Sequence, residues 1–170
     1  ITGPDGETYN INGIGLIYKG IEFEGVYKII KQIELEGILS FGDWRYNTGG
    51  VISIYDQNNV LQSEIDYDAK GVHVGNAAQT QVGGAIKFIP FKGFNIKPRF
   101  TYFGKNYSNF NATDLQKQTG FDNRGKESWK IPAYGLLDLS AGYEIPYKIF
   151  KVFIYGTMSN VLNTRYINDA

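Results

Sequence analysis

The sequence predicts an all-β fold of long antiparallel strands that run up and down in chain order, and two observations carry that prediction. The first is alternation of apolar and polar residues. In Ile33-Glu34-Leu35-Glu36-Gly37-Ile38-Leu39-Ser40-Phe41 the odd positions are Ile, Leu, Gly, Leu and Phe, and the even ones Glu, Glu, Ile and Ser. A strand sends successive side chains to opposite faces, so this segment has one greasy face and one mostly polar face. The second is the rhythm of the connections, which are very short, then very long, then very short again.

Six long strands follow from this reading. The first covers about Tyr9 to Ile29, with Ile11, Ile17, Ile21, Phe23, Tyr27 and Ile29 on one side and Glu22, Glu24 and Lys28 on the other. Lys19 interrupts the apolar side, well above the turn at Ile30-Lys31-Gln32. The second strand, Ile33 to Tyr46, behaves alike: its apolar face stops at Phe41, and Asp43 and Arg45 replace it. A long excursion runs from Asn47 to about Gln79. Within it Val51–Tyr55 and Val60–Ile65 flank the turn Asp56-Gln57-Asn58-Asn59, the pattern of a small hairpin standing above the sheet.

The third strand spans Thr80 to Ile89, and a tight turn at Pro90-Phe91-Lys92-Gly93 leads into the fourth, Phe94 to Lys105. There Phe94, Ile96, Phe100 and Tyr102 oppose Asn95, Lys97, Arg99 and Thr101. Pro98 lies on the apolar side and lacks a ladder donor, which predicts a bulge. A second long connection, Asn106 to Pro132, is rich in Asn, Gln and Gly. The fifth strand, Tyr134 to Ile145, sets Leu137, Leu139, Ala141, Tyr143 and Ile145 against Asp138, Ser140 and Glu144. After a short turn near Pro146-Tyr147-Lys148 comes the sixth, Lys151 to Val161. Its phase is open, because Val152, Ile154 and Met158 are about as apolar as Phe153 and Tyr155.

Tight turns alternating with long loops are the pattern of up-and-down outer-membrane barrels, with short periplasmic turns and long extracellular loops. A soluble lipocalin-like ligand-binding β-barrel is the alternative, its single apolar face lining a cavity. The loss of apolar character near both Lys19 and Asp43 favours the membrane, since tilted strands leave the hydrocarbon after ~9–11 residues. Phe23, Leu35, Leu39, Ile86, Leu137 and Leu139 are then expected to face lipid, and Glu36, Lys87, Arg99 and Asp138 the lumen. The smallest such barrels have about eight strands, so six read as a transmembrane barrel segment, an incomplete barrel. Its outermost strands must pair with strands beyond this sequence, because unpaired backbone in hydrocarbon costs several kcal/mol per group. Cross-strand ion pairs are expected between Lys28 and Glu34, and between Glu34 or Glu36 and Lys87.

Composition narrows function further. Seventeen basic residues balance 17 acidic ones, which leaves no electrostatic footprint for nucleic acid. Cysteine is absent and His73 is the only histidine, so a His/Cys metal site is not expected, nor any cofactor; His73 reads as a solvated loop residue. Glu64, Asp66 and Asp68 alternate along an extended segment and could offer oxygen ligands to Ca²⁺, without EF-hand spacing. No nucleophile–base constellation appears, so the sequence does not read as an enzyme. Tyr107, Phe110, Phe121 and Trp129 stand among amides in the second long connection, a composition suited to binding a sugar or siderophore-like ligand.

Four segments carry a family resemblance. Trp129-Lys130-Ile131-Pro132-Ala133-Tyr134-Gly135-Leu136-Leu137-Asp138-Leu139-Ser140-Ala141-Gly142-Tyr143 resembles the penultimate-hairpin motif of TonB-dependent outer-membrane receptors. Asn160-Val161-Leu162-Asn163-Thr164-Arg165-Tyr166 is similar to the motif that ends their next upward strand. Lys19-Gly20-Ile21-Glu22-Phe23-Glu24 and Phe100-Thr101-Tyr102-Phe103-Gly104-Lys105-Asn106-Tyr107 resemble two earlier strands, in the family's order. The Tyr- and Asn-rich style is similar to receptors of Bacteroidetes-type bacteria. The resemblance implies a barrel of about 22 strands around a plug domain in the bacterial outer membrane. Residues 1–170 would then be part of one barrel domain, without the plug or the closing strand. It also implies partners: outer-membrane lipid, the rest of the barrel and its plug, and the inner-membrane TonB energy-coupling complex. It leaves open a surface lipoprotein. The function implied is energised uptake of a scarce nutrient such as a siderophore, metal chelate, vitamin or glycan.

Overall fold

A computed structural model describes residues 8–11, 14–56, 58–110, 113–117, 126–147 and 149–167. Its strands are β1 (Thr8–Ile11), β2 (Leu16–Ile30), β3 (Ile33–Tyr46), β4 (Gly50–Tyr55), β5 (Leu61–Tyr67), β6 (Thr80–Phe88), β7 (Phe94–Gly104), β8 (Asn106–Tyr107), β9 (Lys130–Ile131), β10 (Tyr134–Pro146) and β11 (Lys151–Met158). Six of them form one antiparallel sheet in the order β2-β3-β6-β7-β10-β11. The sheet is open, with β2 and β11 as its edges. Long strands joined to their chain neighbours in sequence are the up-and-down barrel wall that the alternating pattern predicts.

Register sorts the two faces. Phe23 is opposite Leu39, Leu39 opposite Val82, and Val82 opposite Tyr102. Leu35 meets Ile86, Leu137 meets Phe100, and Leu139 lies between Pro98 and Met158. These positions share one face, and among the described residues no layer covers it: Ile21 is 76% exposed and Phe23 62%. On β3 the band runs from Ile33 to Phe41, roughly 26 Å at about 3.3 Å per residue. It ends where Lys19 and Asp43 stand directly opposite each other. The open phase of the last strand is settled by pairing: Ile145 with Val152, Tyr143 with Ile154 and Leu139 with Met158 put those residues on the apolar face. Phe153 and Tyr155 lie on the polar one.

Three expectations need correction. The first predicted strand is two strands: β1 leaves the main sheet and pairs with β4, making a small sheet in the order β1-β4-β5. Unbroken apolar phase across Ile11 to Ile17 therefore did not mean one strand, because both pieces alternate with the same period. Pro98 makes no bulge. Ala85↔Arg99 and Phe88↔Ile96 keep one register on either side of it, and Leu139 stays opposite it in β10. Lys87 faces Glu34 in the ladder without an ion pair between them among the described residues; Glu36 turns instead to Lys97 and Arg99. Lys28 does reach Glu34, at 3.7 Å.

The buried core sits at the long-connection end, outside the membrane band. Tyr46, Ile52, Ile54, Tyr67, Ala69, Val72 and Leu115 pack together, with Phe110 edge-on to Tyr46 and stacked on Tyr67. β3 projects into this cap past the end of β6, where its backbone would otherwise be a bare edge. Residues 71–79 cover that edge: Tyr46 N donates to Val72 O at 2.9 Å and Val74 N to Trp44 O at 2.9 Å. The side chain of Gln79, fully buried, acts as one more ladder partner, accepting from Trp44 N at 2.9 Å and donating to Trp44 O at 3.2 Å. The second long connection ties in through β8–β9 pairing and through Asp68 N donating to Leu115 O at 3.0 Å.

Candidate functional site

The polar face carries an organised row. Val26, Glu36, Ala85, Arg99 and Asp138 are successive cross-strand partners from β2 to β10. Between Glu36 and Arg99 stands only a methyl group, so the carboxylate crosses over a whole strand. Glu36 Oε2 is 2.7 Å from the Arg99 guanidinium and Oε1 is 3.1 Å from Lys97 Nζ. Asp138 turns upward instead and accepts from Asn160 N at 2.8 Å. Asn160 adopts φ 50° and exchanges two hydrogen bonds with the backbone of Thr164. Beside it the rings of Phe103, Tyr134 and Tyr166 stack in series, 5.0 and 4.4 Å apart. Three of the four expected lumen residues thus fall in one row, and Lys87 lies two positions below it.

The sequence reading missed a polar junction in the cap. His73, expected to be solvated, keeps only 12% of its side chain exposed. Its Nδ1 lies 2.5 Å from Glu127 Oε2 and its Nε2 3.3 Å from Asp43 Oδ1. The imidazole stacks flat on Tyr107, with centroids 4.2 Å apart. Glu127 Oε1 accepts from the backbone N–H of both His73 and Ser128, each at 2.9 Å. Arg45 completes the junction, binding Asp43 at 2.8 Å and Gly71 O at 2.7 Å. One imidazole therefore joins the end of β3, the first long connection and the second. No spacing signal points to it, because its members lie at positions 43, 73, 107 and 127 and meet only through the fold. Burial, with the Glu127 carboxylate nearby, pushes the Tyr107 phenol above its ordinary range.

The aromatic residues expected to meet ligand have different surroundings. Tyr107 is buried, with a ring face occupied by His73. Phe110 packs into the cap core. Trp129 is half exposed, and Phe121 lies outside the described residues. A cavity of about 180 Å³ opens beside Trp129 and Phe110, lined also by Asp114, Lys126 and Ser128. Asp66, weighed above as a Ca²⁺ ligand, forms an ion pair with Lys117 at 2.9 Å. Among the described residues no group of three or more His, Cys, Asp or Glu gathers as a metal site.

An open antiparallel wall with an uncovered apolar band, a polar opposite face and a loop cap defines the class: a transmembrane β-barrel segment. The comparison with protein families agrees. The model of the family "TonB dependent receptor-like, beta-barrel" matches residues 1–161, and the chain belongs to that family, whose members are bacterial outer-membrane transporters rather than enzymes. No curated protein and no solved structure gives a significant match.

Proposed function

We propose that this segment is wall, lumen face and external cap of a receptor that imports a scarce nutrient with energy delivered by the TonB complex. A plug domain supplied by the rest of the polypeptide would rest against the polar row of Glu36, Arg99 and Asp138. The observation that supports this best is the division of one continuous register into an uncovered apolar face and a charged one, because a single sheet can satisfy lipid and water only in that way. The same observation counts against a lipocalin-like barrel, whose apolar face would be enclosed. Cysteine scanning tests the orientation, since this chain has no native thiol. In outer membranes, a small charged thiol reagent should label cysteines at Lys87 and Asp138 and spare those at Leu39 and Leu137. The reverse pattern would refute the assignment. Loss of growth on one limiting nutrient when the gene, or the energy-coupling complex, is removed tests import itself.

A further inference from the structure

We propose that the cavity beside Trp129 is a subsite for one ring of a neutral, hydroxyl-rich ligand, a glycan unit. The proposal rests on the import reading and names its substrate class. Four features of the cavity carry it. Its volume, about 180 Å³, is below the ~300–1,000 Å³ that encloses a whole drug-sized ligand, so it takes one ring of something larger. Trp129, 52% exposed as a residue, lines it and supplies an aromatic ring on which the C–H face of a sugar ring can stack. Among the described residues that line it, charge is close to balanced. Glu127 is already engaged by His73 and two backbone N–H groups, which leaves one cation, Lys126, and one carboxylate, Asp114, lining the cavity. An anionic metal chelate would call for a surplus of cations; a carboxylate, an ammonium and amide or hydroxyl groups instead suit paired hydroxyls that both donate and accept.

The fourth feature is Ser128. It lines the cavity, it is 92% buried, and its Oγ has no hydrogen-bond partner among the described residues. Its backbone is held in place by Glu127 Oε1, and the neighbouring Trp129 carbonyl accepts from Ser108 N at 2.9 Å. A buried hydroxyl left unpaired is costly, and a turn of the Ser128 side chain that brings its Oγ, closed off from the cavity here, to a ligand hydroxyl would remove that cost on binding. Because His73 fixes Glu127, and Glu127 fixes Ser128, the wall is formed before ligand arrives. That reduces the ordering cost of binding.

The test uses the complete receptor purified in detergent, probed on an array of neutral oligosaccharides, with Asp114→Asn and Trp129→Ala as variants and Trp129→Phe as the conservative one. Asp114 is exposed, so its variant is expected to fold, and heat-modifiable mobility checks the barrel in each case. The expected result is wild-type binding to one oligosaccharide class, weakened by roughly tenfold in Asp114→Asn and Trp129→Ala, the scale of one lost hydrogen bond or stacking face, and largely kept in Trp129→Phe. No binding to any neutral glycan overturns the proposal, as does glycan binding unchanged in both Asp114→Asn and Trp129→Ala. Uptake of a metal chelate or vitamin, with no glycan bound, would remove this inference while leaving import intact. Absence of any energised uptake would remove import as well.

Discussion

Replacing His73 with Ala should loosen the external cap without disturbing the barrel wall. The substitution removes a flat stack on Tyr107 at 4.2 Å and the contacts to Glu127 at 2.5 Å and Asp43 at 3.3 Å. An aromatic stack contributes about 0.5–1.5 kcal/mol, and a hydrogen bond to a charged group about 1.5–3 kcal/mol. Asp43 is half exposed, so its long contact adds little, and Glu127 keeps its two backbone bonds. A net local loss of about 2 kcal/mol follows, equivalent to roughly 30-fold faster opening. Hydrogen exchange in the solubilised receptor reads this directly, since amides report the free energy of local opening. The Val74 amide, bonded to Trp44 O, and the Ser108 amide, bonded to Trp129 O, should both accelerate, while the amides of β6 and β7 should not. Acceleration below about threefold at both sites would refute the claim that this imidazole holds the two connections together. Equal acceleration throughout the sheet would show that the cap and wall unfold as one unit.

Further substitutions probe the wall. Leu39→Arg, on the uncovered apolar face, should cost about 2–4 kcal/mol in denaturant unfolding from lipid vesicles, and Ser40→Arg on the opposite face far less; equal losses would invert the assignment of faces. Glu36→Gln leaves Lys97 and Arg99 without their carboxylate and should cost about 1 kcal/mol or less by thermal unfolding. High salt should narrow that difference, because these groups are only partly buried. Gly93→Ala strains the turn between β6 and β7, where φ is +90° and a Cβ would stand 2.6 Å from Glu144 O; a loss above about 1 kcal/mol in urea is expected, and none would mean that the turn relaxes.

The wall was legible because its information is local. A period of two along each strand and a turn at each end are enough to place Ile33–Tyr46 correctly and to find β10 within a residue. The same local rule explains the errors. It could not see that β1 ends at Ile11 and β2 begins at Leu16, since strands in different sheets can share one phase. It paired Glu34 or Glu36 with Lys87 on height alone. The true partner was decided by Ala85, whose small side chain lets Glu36 reach past β6 to Arg99. Polar junctions such as that of His73 are assembled from positions tens of residues apart, so neither spacing nor composition announces them. Of the aromatic loop residues, Tyr107 and Phe110 have neighbours that residue type alone could not foretell: one ring lies on His73, the other on Tyr46 and Tyr67.

Where the core sits has a physical consequence for the site. A barrel wall facing lipid on one side and a polar interior on the other has no third layer to pack against, and here nearly all fully buried side chains lie beyond the apolar band. Tyr67, Val72, Gln79 and Ile131 are each no more than 1% exposed, and all belong to the cap or to the strand ends that enter it. Long external connections usually owe the sheet little more than their ends and remain mobile. In this chain they are anchored three times over: by the β1-β4-β5 sheet, by backbone bonds from residues 71–79 onto the bare end of β3, and by the imidazole between Asp43 and Glu127. The cavity beside Trp129 is therefore built on fixed neighbours, with Leu115 and Val72 of the core forming part of its lining. A ligand bound there would press on Val72, whose carbonyl accepts from Tyr46 N at the end of β3. Further along β3, Glu36 lies across Ala85 from Arg99, so β3 connects the cap to the polar row.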